Sequence, residues 1–267
     1  MDGEAQLKDL HTALITGASS GIGEAFALSL AAAGFDLILV ARSEDKLTAL
    51  AKQLTELHSR RVEVMTADLT HAGSAAKVHA AAQALGMPVD LLVNNAGFGS
   101  VGSFEKLDAG RERHEVLLNC AAVVDMTRAF LPAMLRQKRG GIINVASMAA
   151  FQPLPYMSVY AATKAFVLSF SRGLRGEVRD RGVKLLCVCP GPVDTPFFEA
   201  TGNTRLRSTV PKATLMTAEA VVRASLKAFR AGRSVIVPGA ANKLVAGSAQ
   251  LLPHDALTAM TARFMKR

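Results

Sequence analysis

Tryptophan is missing from this 267-residue chain, tyrosine occurs twice and cysteine three times. Three is an odd count, and Cys120, Cys187 and Cys189 lie in apolar runs without zinc-type spacing, so neither a disulfide framework nor a metal site is expected. Cys187 and Cys189 alternate along a strand-like run, which puts both on one buried face. The histidines, His11, His58, His71, His79, His114 and His254, are scattered without ligand spacing, and none is assigned to a metal. Long apolar runs are also missing. Ala25 to Ala33 and Leu37 to Ala41 are broken by Gly34, Asp36 and Arg42 well short of a bilayer span, so no transmembrane segment is expected. Met1 to His11 carries acids and no apolar centre, so it is not read as a secretory signal. A soluble, cytoplasmic protein is the expectation. The tail from Gly239 onward is left between a helix that closes a pocket and a segment that touches a membrane surface.

Acidic residues are outnumbered, 22 against 31 basic ones, for a net charge of +9. Such a charge can attract nucleic acid, an anionic membrane or an anionic ligand. Here the basic residues are spread over Arg136 to Arg139, Arg172 to Lys184, Arg223 to Arg233 and Lys266 to Arg267, with no aromatics interleaved. A solvated basic surface is the simplest reading, attraction of an anionic cofactor or substrate the next, and no nucleic-acid partner is expected.

What the chain does have is apolar sequence, half of its residues, in a repeating order. Strand-like runs at Thr12 to Thr16, Asp36 to Ala41, Arg61 to Thr66, Leu91 to Asn94, Gly141 to Ala146, Lys184 to Cys189 and Ser234 to Val237 are mostly apolar throughout, as in strands covered on both faces. Between them lie helical patterns at Gly21 to Ala33, Glu44 to His58, Ala72 to Leu85, Arg111 to Gln137, Ser158 to Asp180 and Ala218 to Ala231. This alternation predicts an α/β fold of the Rossmann type, a doubly wound sheet of about seven parallel strands with helices on both faces. No repeat, low-complexity tract or linker divides the chain, so residues 1–267 are read as one domain. Its least regular stretch, about 190–215, is rich in Gly and Pro and is read as a lid, and 239–267 as a tail.

Ligand crevices of such sheets lie beyond the carboxyl ends of the strands, and chemistry is sought there. The first strand runs into Gly17-Ala18-Ser19-Ser20-Gly21-Ile22-Gly23 and then a helix, an anion site in which backbone N–H groups face a pyrophosphate that glycine lets approach. The second strand ends at Arg42 and Ser43, where an NAD site would offer an acid to the ribose. A guanidinium there matches a 2′-phosphate, so NADP(H) is favoured over NAD(H), although Glu44 and Asp45 offset some of the charge. Tyr160 and Lys164 stand four residues apart on a helix, so a phenol and an ammonium converge on one small volume. An ammonium nearby would lower the phenol pKa. Ser147 precedes them without the G-x-S-x-G elbow of a hydrolase.

These motifs together, with Asp68-Leu69, Asn94-Asn95-Ala96-Gly97, Asn119 and Pro190-Gly191-Pro192-Val193-Asp194-Thr195, resemble the short-chain dehydrogenase/reductase family in its compact single-domain branch, over nearly the whole chain. The spacing G-x-x-x-G-x-G belongs to that resemblance, while Ser20 departs from the basic residue that many NADP-using relatives carry. The resemblance implies that Ser147 bonds a substrate carbonyl, Tyr160 protonates it, Lys164 tunes the phenol and bonds the nicotinamide ribose, and Asn119 positions a water for proton relay. It also implies that Asp68 and Leu69 meet the adenine, that Asn94 braces the central strands, that Asn95, Ala96 and Gly97 approach the ribose, and that Pro190, Gly191, Val193 and Thr195 hold the nicotinamide. The implied activity is hydride transfer between NADP(H) and a ketone or secondary alcohol, by a homodimer or homotetramer. Phe98, Met148, Phe151, Leu154, Met157, Phe197 and Phe198 would line a hydrophobic substrate pocket, suited to a 3-oxoacyl, steroid-like or xenobiotic carbonyl. A non-catalytic dinucleotide-binding regulator that keeps the fold is the alternative, disfavoured by the intact set Asn119, Ser147, Tyr160 and Lys164.

Overall fold

Seven strands form one sheet in a computed structural model, which describes residues 10–202, 206–249 and 253–265. The readings of residues 1–9 and 266–267, and of parts of the lid (203–205) and tail (250–252), lie outside them. The strands are β1 Thr12–Thr16, β2 Asp36–Ala41, β3 Val62–Thr66, β4 Leu91–Asn94, β5 Gly140–Val145, β6 Val183–Val188 and β7 Val235–Ile236. They pair in the order β3-β2-β1-β4-β5-β6-β7, every pair parallel. All five residues of β1 are buried, which is why it reads as apolar rather than alternating: both faces of the sheet carry helices.

The helices between the strands are α1 Gly21–Ala32, α2 Glu44–His58, α3 Ser74–Ala84, α4 Ala109–Val116, α5 Ala122–Gln137, α6 Ser158–Val178, α7 Phe197–Ala200, α8 Leu206–Thr209 and α9 Ala218–Arg230. Two more follow β7: α10 Ala240–Ala249 and α11 His254–Met265. One core holds Phe26, Leu30, Leu47, Leu54, Val221 and Phe229 from α1, α2 and α9 against one face of the sheet. A second, on the other face, holds Val78, Met126, Phe130, Met134 and Val178 from α3, α5 and α6. At Gly141 in β5 an added Cβ would lie 2.2 Å from the Phe229 ring, so the missing side chain is what lets α9 sit on the strand.

The single helix expected over Arg111 to Gln137 is instead three pieces, because a π-helical turn at Leu117–Ala121 separates α4 from α5. The joined run Ala109–Gln137 is 29 residues, long and apolar enough to cross a membrane by length and composition. The expectation that no segment has that length is thereby corrected. Apolar stretches counted between single charges had hidden the run, and its residues Met126, Phe130 and Met134 are buried in the second core.

The order of the strands reverses between β1 and β4, and the loops after these two strands flank the crevice. Thr16 ties them together: its hydroxyl donates to the Val93 carbonyl (3.3 Å) and accepts from the backbone N–H groups of Asn95 and Ala96 (3.0 Å each). Beneath runs a buried polar chain. Asn94 donates to Thr127 Oγ1 (3.2 Å) and to Asn144 Oδ1 (2.9 Å), and Asn144 donates to Ser171 Oγ (2.9 Å), which fastens β4 to β5 and both to their covering helices. The bracing expected of Asn94 is therefore formed, through Asn144 and Ser171, which carry no motif of their own.

Candidate active site

A cavity of about 1240 Å³ runs along the carboxyl ends of the strands. Its floor begins at the glycine turn after β1. Gly17 has φ 65°, and a Cβ on it would lie 2.8 Å from the Ala96 Cα, so glycine is needed for both the turn and the approach of the β4 loop. Ser19, Ser20, Gly21 and Ile22 line the cavity at the N-terminus of α1. Gly23 does not. It sits behind the turn, where a Cβ would lie 2.1 Å from the Gly17 carbonyl oxygen, so its part is to let α1 close on the turn. Overhead, Thr195 crosses so closely that a Cβ on Gly21 would lie 3.1 Å from the Thr195 Cβ.

At one end of the cavity lie Arg42, Ser43, Asp68, Leu69 and His71. Burial tends to raise the Asp68 carboxyl, but the Thr70 backbone N–H (2.9 Å) and hydroxyl (2.7 Å), with Arg42 nearby, hold it below its ordinary value. Ala96 and Gly97 face the cavity from the β4 side. Asn95 lines it too, with its side-chain amide donating to the carbonyls of Thr16 (3.0 Å) and Gly17 (3.2 Å). Pro190, Gly191, Val193 and Thr195 form the facing wall.

In the middle, Ser147 at the end of β5, Tyr160 and Lys164 converge. The segment that leads into α6 turns through Tyr156, whose φ of 66° is a left-handed conformation uncommon for such a residue. Burial pushes the Tyr160 phenol up to about 12, against the Ser147 hydroxyl, which pulls it down. Burial likewise pulls the Lys164 ammonium down to about 8. The expected lowering of the phenol by the lysine is thus not present: Lys164 donates to the Val145 carbonyl (3.1 Å), 5.7 Å from the Tyr160 ring centroid, and burial outweighs the pair. At neutral pH the two groups are a phenol and an ammonium, both donors.

Asn119 is fully buried in the π turn and does not line the cavity. It accepts from the Phe98 N–H (3.2 Å) and donates to the Phe98 carbonyl (2.9 Å) and the Thr163 hydroxyl (3.0 Å), clamping the β4 loop to α6. A Cβ on Gly97 would lie 2.8 Å from Asn119 Oδ1 and 3.2 Å from Lys164 Nζ, so that glycine keeps the two close.

Beyond Tyr160 the lining turns apolar, with Phe98, Met148, Leu154, Met157, Phe197 and Phe198. The Phe197 ring lies 5.4 Å from that of Tyr160. Phe151 is the exception. It packs behind the site against the cluster of Val123, Val167 and Leu168, since the 3₁₀ turn at Met148–Phe151 points its last residue away from the cavity. Among the lining residues that carried no signal in the sequence are Arg111 and His114 on α4 and Val245 on α10. Glu115 carried none either. It is fully buried, neither carboxylate oxygen forms a hydrogen bond among the described residues, and burial pushes it up to about 7 against an opposing pull from Ser100.

This arrangement of glycine turn, Asn-Asn-Ala-Gly loop, Ser147, Tyr160 and Lys164 can be compared with known proteins. The family model described as short chain dehydrogenase matches residues 11–206. The chain belongs to the short-chain dehydrogenase family. Over 199 residues it is 33% identical to 17-beta-hydroxysteroid dehydrogenase type 3 of Rattus norvegicus, covering 74% of this chain and 64% of that one. Over 180 residues it is 34% identical to very-long-chain 3-oxoacyl-CoA reductase of Pyrenophora tritici-repentis, covering 66% of this chain and 53% of the relative. It therefore spans only about half to two thirds of the length of these two relatives. A solved short-chain dehydrogenase from Sphingobium yanoikuyae, in complex with NADPH, superposes with a TM-score of 0.80 at 34% identity, covering 90% of this chain and 94% of that one.

Proposed function

We propose that the protein is an NADP(H)-dependent reductase of hydrophobic ketones, the reverse reaction being oxidation of the matching secondary alcohols. The observation that carries this reading is the convergence of Ser147, Tyr160 and Lys164 midway along one cavity, with Arg42 at one end and an apolar lining at the other. The residues present fit a dinucleotide. The glycine turn and the N-terminus of α1 would hold its pyrophosphate, Asp68 and Leu69 its adenine, Arg42 and Ser43 the 2′-phosphate, and Pro190 to Thr195 its nicotinamide. Bound there, a reduced nicotinamide supplies hydride.

The chain's own residues do the rest. Tyr160 is a neutral phenol at working pH, as a proton donor to a ketone oxygen must be, and Ser147 holds that oxygen in place. Lys164 keeps a positive charge in the same cavity up to about pH 8 and would bond the nicotinamide ribose. Asn119 holds the β4 loop against α6 and thereby fixes the gap between Gly97 and Lys164. Phe98, Phe197 and Phe198 exclude water around the reacting carbon. Steroid-like ketones and 3-oxoacyl chains are the leading substrate classes, in line with the two relatives named above.

Assembly as a homodimer or homotetramer through α4 to α6 belongs to the same reading, supported by the exposure of Val116 and Phe166 there. So does a cytoplasmic location, supported by three free thiols.

The test is NADPH consumption over a panel of ketones and 3-oxoacyl esters, repeated with Tyr160→Phe. The variant is expected to lose roughly 10²–10⁴ in kcat/KM and to bind NADPH as wild type does. Turnover at the wild-type rate would remove Tyr160 from the chemistry.

A further inference from the structure

The cavity has in its wall a cation that forms no ion pair among the described residues. Arg111 lines it from α4, and neutral groups fix its guanidinium. Nε donates to the Ser100 hydroxyl at 3.1 Å, and Nη2 donates to the Gly99 carbonyl at 3.4 Å and to the Ala200 carbonyl of α7. The group lies over the Phe98 ring, 4.8 Å from its centroid. Asp108 is its nearest acid in sequence before it, yet that carboxylate is turned to the Arg111 backbone N–H (2.7 Å) as the cap of α4. Among the described residues no carboxylate comes within ion-pair distance of the guanidinium, and Nη1 has no hydrogen-bond partner. His114, one turn further along α4, lines the same wall.

Position gives this charge a use. Gly99, whose carbonyl receives Nη2, is also pressed against the Tyr160 ring: a Cβ there would lie 2.8 Å from Cδ2. Gly99 thus lies between the base of the Tyr160 ring and the guanidinium, and Arg111, Ser147 and Tyr160 line one cavity. The residue is exposed, yet its hydrogen bonds already orient the guanidinium, and a planar fork suits a carboxylate.

We propose that Arg111 binds a carboxylate on the substrate, so that the preferred substrates are hydrophobic keto acids rather than neutral ketones. This rests on the ketone-reductase reading above and narrows its substrate class.

The experiment compares 5-oxo-5-phenylpentanoate with its methyl ester as substrates of the full chain with NADPH, for wild type, Arg111→Gln and Arg111→Lys. Wild type should favour the acid. Arg111→Gln should raise KM for the acid about tenfold and leave the ester unchanged, with Arg111→Lys in between. Added salt should raise KM for the acid alone. Should Arg111→Gln weaken both substrates equally, the side chain only latches α7 to the β4 loop and the proposal is wrong. It is equally wrong if neither substrate is affected. If Arg111→Gln does not fold, the lysine variant decides by the same comparison. Wild-type failure on both compounds and across the ketone panel would instead sink the reductase reading, and this proposal with it.

Discussion

Glu115 is a carboxyl group with no exposure and two unbonded oxygens, and its energetic effect has a definite sign. Its pKa is 4.5 ordinarily and about 7 in the fold. Between these values the folded protein keeps a proton that the unfolded chain has released, so stability from this group falls as pH rises from 4.5 to about 7 and stays low above. Glu115→Gln should therefore match wild type in acid and melt several degrees higher at pH 8. A lower midpoint than wild type at pH 8 would mean that the carboxylate is paired after all. At the cofactor end, Arg42→Ala should weaken NADPH roughly tenfold or more and NADH little, as read by fluorescence titration. Equal losses would take the 2′-phosphate role from it. Arg42, Tyr160 and Lys164 were legible because each stands at a fixed step from a strand end or from another motif residue. Arg111 and Glu115 were not. They sit in the run Arg-Glu-Arg-His-Glu, which reads as surface; in the fold Glu112 and Glu115 are buried while Arg111 stays exposed at the cavity wall.

At the scale of elements, the strands were readable because burial on both faces leaves an unbroken apolar signature, and six of the seven have four residues or more. β7 has two, one helix became three pieces at the π turn, and α7 and α8 are single turns within the irregular stretch 190–215. Four-residue helices follow from tertiary contacts, not from any period the sequence could display. Contact between elements also sets a stability test. Gly141→Ala should cost about 1–3 kcal/mol in denaturant unfolding, because the new methyl meets the Phe229 ring. Adding Phe229→Leu should recover part of that loss. If the single variant is as stable as wild type, α9 can shift away from β5 at no cost.

Over the whole molecule, the family match ends at residue 206, yet the site does not. Asn242 of α10 is buried, donates to the Thr214 carbonyl (3.0 Å) and packs against Gly191 so tightly that a Cβ there would lie 2.4 Å from it. The next turn brings Val245 into the cavity wall. The described part of α10 thus adds Val245 to the cavity wall while Leu244 beside it is exposed. The segment crossing Gly21 at Thr195 has a further consequence, for the order in which molecules come and go. It covers the glycine turn and continues directly into Phe197 and Phe198, so whatever rests on the turn lies beneath the chain that shapes the apolar end of the cavity. The dinucleotide should board first and disembark last. Product inhibition should then find NADP⁺ competitive with NADPH and the alcohol not, whereas an alcohol that competes with NADPH would reveal two independent doors.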